Sequence, residues 1–444
     1  MNALRSINPE FQRQLWLQFS VSRLVVTPIL LSLIMLGIYW MSEGDLSAYS
    51  SIAMTGGMLF IFFTIVMGAN AAGNSMVEEI NEHTWDQQRM NAMTPWSMVW
   101  GKLFGSTAFA WYCGAWCLVF AVPAALANPT HAAVWRFTAI AILVSLLVQT
   151  VVLTVQLQMA HFKRAIAKRG NLPIVFAAIL WIAIPIITNS TQDIHQEWWG
   201  YTFERVNFSL LSLVLFTVCA MVMVWRSMAE ALLVRQWPWG WPVLALLINT
   251  YISGFASEQR GIVWCVSALL VSVVFTYLSL LSDKPSVPHW KRIVTRFEGG
   301  QWKIAIQSLP RWVSTLLLAF PLALLVTGLP NLEYLDLFPP SLQGDAAGVW
   351  LHAMVVWLIL LRDAALGLAI GFMAERHRRT ISFIVVMMVL HGLLPWLVWL
   401  GREPLLNVLA APLFTPAPFT VVSALVHAGL ALGFLLRRWR TAAA

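Results

Sequence analysis

The sequence predicts an all-α, polytopic membrane helix bundle of about twelve transmembrane helices, with both termini cytoplasmic. Three observations predict it: the composition, the recurrence of long apolar runs, and the placement of positive charge. Apolar residues make up 59% of the 444 and charged residues 11%, against roughly 45–50% and about 25% in soluble chains. With a mean hydropathy of +0.72, there is too little polar surface to cover a water-soluble protein of this size. No polar stretch exceeds about thirty residues, too few for a soluble domain with its own core.

Apolar runs separated by turn signals place spans near 24–42, 52–72, 101–127, 135–160, 172–188, 207–225, 240–255, 262–281, 312–329, 347–371, 381–401 and 418–436. Most approach the roughly 20 residues that cross a bilayer as a helix. An even number puts both termini on one side. Of the 28 Lys and Arg residues, only Arg136, Arg205, Arg260 and Arg402 fall in the segments opposite the termini, and Arg362 falls inside a span. The positive-inside rule therefore makes the terminal side cytoplasmic. The net charge of +8 then faces anionic head groups, so membrane lipid is the expected partner and nucleic acid is not. The outer segments carry acids instead: Glu43 and Asp45, Asp193 and Glu197 beside Trp198–Trp199, and Glu333, Asp336 and Asp345 around Pro339–Pro340. The tryptophan pair suits the interfacial belt. The polar start, up to Arg23, shows no pattern of a cleavable signal peptide.

Along the chain, 8–22 (NPEFQRQLWLQFSVS) reads as an amphipathic helix lying on the inner leaflet. Asn8 can cap it, Pro9 suits its first turn, and Phe11, Leu15 and Phe19 recur every four residues. Such a helix serves either as a simple anchor or as a mechanical elbow. Cys113 and Cys117 sit one turn apart inside an apolar run with no acid or His beside them, which reads as buried thiols; no metal site is expected.

The most informative stretch is 73–102, GNSMVEEINEHTWDQQRMNAMTPWSMVWGK. Ser75 and Glu78 form an S-x-x-E capping box, which predicts a cytoplasmic helix over 75–93. Glu78, Glu82 and Asp86 recur at i, i+4 and i+8 as an acidic stripe, with Glu79, Thr84, Trp85 and Arg89 around it. Thr94 and Pro95 are the cap and first turn of the next helix. An acidic stripe beside an anionic membrane faces away from lipid, as a solvated face or as a docking ridge for a cytoplasmic partner. His83 lies near acids, but H-E-x-x-H is absent, so catalysis there is not expected.

This stretch resembles the coupling segment of ABC-2-type transporter permeases, whose pattern runs roughly E-x-E-x-G-T-x-E, then P-x-S and G-K at the next span. Glu79, Thr84, Asp86, Pro95, Ser97, Gly101 and Lys102 fit it. Asn81 and His83 stand where Glu and Gly are expected, and the interval from Thr84 to Pro95 is longer than usual. The resemblance covers roughly 8–236, within a first unit of 1–236: an elbow helix at 8–22, six spans, and the coupling helix 75–93. It implies a permease subunit of an ABC exporter in a bacterial-type cytoplasmic (inner) membrane. It further implies cytoplasmic ABC ATPase subunits as partners, with ATP and Mg²⁺ bound by them and no cofactor bound by this chain. Glu78, Glu79, Glu82, Thr84, Trp85, Asp86 and Arg89 would then be the partner-binding residues.

The second half, 237–444, opens on a basic cytoplasmic linker, 282–311, with Pro285, Pro288 and a Trp302–Ile306–Leu309 repeat that suggests another inner-leaflet helix. About six further spans belong to this half. Its inner loop Ala374–Thr380 is short and lacks an acidic ridge. With one coupling helix per chain and paired ATPase subunits implied by the resemblance, a homodimer or a paired permease is expected. Arg362 and Asp363 lie inside a span, where charges face a bundle interior or a wet cavity. Adjacent helix positions diverge by about 100°, so the two need not pair with each other. Gln149, Gln156 and Gln158 suggest a polar seam in 135–160.

No G-x-x-x-x-G-K-[ST], G-x-S-x-G or H-E-x-x-H occurs, so the chain is not expected to be an enzyme. Two alternatives remain beside the exporter reading. One is a membrane-embedded glycosyltransferase or polymerase using a lipid-linked donor. The other is an ion-coupled secondary transporter.

Overall fold

The computed structural model describes residues 8–42, 44–82, 84–90, 93–127, 134–161, 195–256, 260–282, 286–327, 346–373, 379–401 and 420–443. Eight helices among them are long and apolar enough to cross a membrane, and three shorter apolar helices accompany them. The chain is a multi-pass helical membrane protein. It divides into two compact units, 1–196 with 202–236, and 197–201 with 237–444. The expected span 172–188 lies outside the described residues.

In the first unit, α1 is Pro9–Gln18, capped by the Asn8 side chain, which accepts from the Glu10 amide at 3.0 Å. It ends at an extended Phe19, and Ser20 caps α2, Val21–Met41. α2 buries only 11% of its apolar window, and Leu30, Leu33 and Leu36 point outward. In a membrane such a face meets lipid, so its exposure is no liability.

The next span runs as one helix through α3 (Asp45–Ile61), a π-helical turn (Phe62–Met67) and α4 (Gly68–Asn81). This corrects the expectation that a helix starts at Ser75. Ser75 is buried and its hydroxyl donates to the Ala72 carbonyl at 2.7 Å, so it back-bonds within a helix and caps nothing. The preceding GANAAGN has no proline to stop propagation, and extending a formed helix is favourable. The helix ends at Glu82, where the Thr84 amide donates to the Glu79 carbonyl at 2.9 Å. Only the short α5, Trp85–Met90, follows. The expected five-turn helix over 75–93 is therefore two pieces, the end of a span and a separate short helix.

α6, Pro95–Trp100, starts at Thr94, whose hydroxyl accepts from the Ser97 amide at 3.2 Å. A second π-turn, Gly101–Gly105, leads to α7, Ala108–Ala127. α8 is Val134–His161. Strands β1, His195–Trp198, and β2, Tyr201–Glu204, form a hairpin. Its turn, Trp199–Gly200, has positive φ at both positions (53° and 82°), as a two-residue hairpin turn requires. α9 is Arg205–Ala231. Apolar contacts join Ile65, Ala69, Val144, Val148 and Leu213 in one layer and Met76, Met98, Leu103, Leu153 and Met228 in another. Two of the three glutamines expected to form a polar seam are hydrogen-bonded to neighbouring helices, on different faces of α8. Gln149 donates to the Thr64 carbonyl in the π-turn at 2.8 Å and accepts from Trp111 at 3.2 Å, and Gln158 donates to Ser227 at 2.8 Å.

The second unit contains α10 (Gly240–Ser253), α11 (Arg260–Ser282), α12 (Val287–Glu298) and α13 (Trp302–Gln307). It continues with α14 (Arg311–Thr327), α15 (Ala346–Met373), α16 (Arg379–Met388), a third π-turn (Val389–Leu393), α17 (Leu394–Gly401) and α18 (Thr420–Ala443). Gly300 (φ 71°) separates the basic α12 from α13, so the linker carries two helices. Trp198 and Trp199 donate their indole hydrogens to the Tyr251 and Thr250 carbonyls at 3.0 and 3.1 Å, and Arg260 pairs with Glu197. The core is Trp312, Leu316, Ala319 and Ala323 packed on Leu360, Ala364 and Leu368.

Candidate functional site

Two buried ionic clusters stand out, one in each unit, and each involves a π-turn. In the first, α1 carries Glu10, Arg13 and Gln14 at i, i+3 and i+4, hence on one face. Arg13 forks onto Glu10 (Nε–Oε2 3.0 Å, Nη2–Oε1 2.8 Å), and Gln14 donates to Glu10 Oε1 at 2.9 Å. Arg13 and Lys102 both also donate to Glu79, and Lys102 Nζ lies 3.4 Å from Glu10 Oε1. Glu10, Glu79 and Lys102 are buried, the lysine completely. Two acids balance two bases, which is what burial of charge requires.

Glycines allow the approach. A Cβ on Gly101 would lie 2.6 Å from Glu10 Cγ and 2.8 Å from the Phe11 amide nitrogen, and one on Gly105 would lie 2.6 Å from Gln14 Cβ. Asn8 adds a hydrogen bond to the Ser97 carbonyl. Burial pushes the Glu10 carboxyl up, but Arg13, Lys102 and Gln14 outweigh it and hold the group below the usual carboxylate range. Arg13 is raised, chiefly by its hydrogen bond to Glu10 against the opposing effect of burial.

The sequence-predicted site residues distribute around this cluster. Glu79 is its centre. Trp85 packs its ring 5.6 Å from Lys102 Nζ, and Thr84, half-buried, closes the helix end. Glu78, Glu82 and Asp86 are exposed, and Arg89 pairs with Asp86 at 3.2 Å. Because the helix breaks between Glu82 and Trp85, the three acids form no continuous stripe. Glu10, Arg13 and Lys102 were not predicted as site residues. Glu10–Arg13–Gln14 spacing and the Gly101–Gly105 pair were the available signals.

No family model, curated protein or solved structure matches this chain.

The second cluster surrounds Asp363, which is wholly buried. Arg362 Nε donates to Asp363 Oδ1 at 2.8 Å, so the neighbours do pair: the long arginine bends back across the angle between them. The Tyr277 hydroxyl donates to Oδ2 at 2.5 Å, and His391 Nε2, from the third π-turn, lies 2.7 Å from the same oxygen. Tyr277 and His391 went unrecognised in the sequence, because each is a lone polar residue in an apolar run. π-turns are concentrated at functional positions, since the extra residue re-aims a side chain. No group of three or more His, Cys, Asp or Glu suited to a metal occurs among the described residues.

Proposed function

We propose that this chain is the permease subunit of an ATP-driven exporter of the ABC-2 type, in a bacterial-type cytoplasmic membrane with both termini cytoplasmic. The observation that carries the reading is the ionic lock of α1 onto the ends of two successive spans through Glu10, Arg13, Glu79 and Lys102. A partner pulling on the exposed acids Glu78, Glu82 and Asp86 acts beside Glu79, and the lock couples that displacement to α1 and α6. The permease then needs only a stiff joint and a bundle with two arrangements, while a separate ATPase holds ATP and Mg²⁺. Two permease chains engage two ATPase subunits, as a homodimer or a related pair. The resemblance in 73–102 and the absence of a P-loop support the same assignment.

The test is charge reversal. Glu78→Lys/Glu82→Lys/Asp86→Lys should abolish association with the ATPase and its stimulation, while the chain remains inserted. Normal stimulation by the reversed protein would reduce those acids to a solvated surface. The Asp363–His391–Tyr277 network favours a second reading, an ion-coupled secondary transporter. That protein would transport in proteoliposomes under an ion gradient with no ATPase present.

A further inference from the structure

In the second unit, α15, the α16–α17 segment with its π-turn, and α18 border a partly open cavity of about 270 Å³. Its wall is mostly hydrocarbon, including Leu366, Leu394, Leu430, Ala431 and Phe434, with the imidazole of His427 and the guanidinium of Arg362 as its polar groups. Arg362 is buried, and Asp363 does not line the cavity. The hydrogen-bond chemistry leaves this guanidinium with spare donors. His391 Nε2 lies 2.7 Å from a carboxylate oxygen that has no proton to give, so Nε2 carries the hydrogen and donates it to Asp363. The same nitrogen therefore cannot accept from Arg362 Nη2, 3.1 Å away. Among the described residues, Asp363 is then the only acceptor Arg362 has. A guanidinium half-satisfied at mid-span is costly unless something else meets it.

We propose that this cavity binds a single-chain amphipathic oxyanion. Its carboxylate or phosphate accepts from the free edge of Arg362, for which a planar fork of donors is suited, and its hydrocarbon body fills the leucine-lined space. The depth of the guanidinium argues against a two-chain membrane lipid. Arg362 sits at the centre of the apolar window Ala353–Phe372, roughly 15 Å from either edge of the hydrocarbon layer, out of reach of a head group held at the interface. The inference rests on the membrane-spanning fold alone and not on the exporter assignment.

Decanoate is the probe, titrated calorimetrically into the full chain in phosphatidylcholine nanodiscs, with empty nanodiscs subtracted and decanol as the uncharged control. Saturable decanoate binding is expected. The charge-neutral, near-isosteric pair Arg362→Gln/Asp363→Asn should weaken decanoate by about tenfold or more, the size of a lost charge-assisted hydrogen bond, and leave decanol unchanged. Ala431→Phe, which fills the cavity without touching the ions, should weaken both. Each variant is first shown to keep the wild-type thermal unfolding profile. Decanoate binding no tighter than decanol, or indifferent to both variants, would overturn the proposal. So would full displacement of decanoate by phosphatidylglycerol added to the nanodisc, which would make the occupant a membrane lipid.

Discussion

Lys102, with none of its surface exposed, donates its ammonium to Glu79 at the end of the preceding span. Twenty-three residues separate the two in sequence, and α5 and α6 lie between. This pair holds the adjoining ends of two successive apolar helices at a fixed spacing, and Arg13 and Glu10 extend it to α1.

Breaking the pair on one side should be costly. Glu79→Gln or Lys102→Met leaves a buried charge uncompensated, which destabilises by about 3–5 kcal/mol. The double variant removes both charges and should recover much of the loss. Thermal unfolding of the four proteins in one detergent measures the coupling, and simple additivity would show that the two side chains act independently.

The docking of α1 should be acid-sensitive. The Glu10 carboxyl is held below its ordinary value of 4.5, so its contribution is complete above that pH. It is lost as pH falls from about 4.5 through the lower folded-state value. Glu10→Gln should flatten that part of a stability-against-pH curve while leaving the neutral-pH slope unchanged. An unaltered acid limb would contradict the assignment.

Gly101→Ala and Gly105→Ala should undock α1, because the new methyl groups meet Glu10 and Gln14 well inside contact distance. A disulfide between cysteines at Asn8 and Ser97, which share a hydrogen bond, reports the docked state and should form more slowly in both variants. Gly37→Ala, where a Cβ meets nothing within 4 Å, is the control and should cross-link at the wild-type rate.

Tyr277→Phe removes one of three donors to buried Asp363. A loss of about 1–3 kcal/mol is expected, the cost of leaving a buried acceptor under-satisfied. Tyr251→Phe, on α10 and outside the cluster, should change stability by less, and equal effects would show that the Tyr277 hydrogen bond carries no special weight.

The fold class was legible because lipid-facing helices need little beyond apolar residues in sufficient number, and α2, α8 and α11 show this plainly. Local stops were read where chemistry imposes them, as at Thr94–Pro95. The S-x-x-E box at Ser75 misled because a capping motif acts only where a helix begins. Here a helix nucleated upstream ran through it, and tertiary burial of Met76 and Glu79 favoured that continuation. The ionic clusters were partly legible. Glu79, Arg362 and Asp363 stood out as charges. Lys102 was legible only as part of the Gly101–Lys102 match to the permease pattern, and the Gly101–Gly105 pair was not read as the place where α1 comes down on it. The three π-turns leave no sequence signature of this kind either, yet they place Thr64, Lys102 and His391.

Native mass spectrometry of the complex isolated from its own membrane is the decisive measurement for a permease driven by a separate ATPase. Two permease chains with two ATPase subunits are expected, and the ATPase should dissociate when Glu78, Glu82 and Asp86 are reversed to lysine. A chain that is isolated without a nucleotide-hydrolysing partner, yet transports under an ion gradient in proteoliposomes, would contradict it.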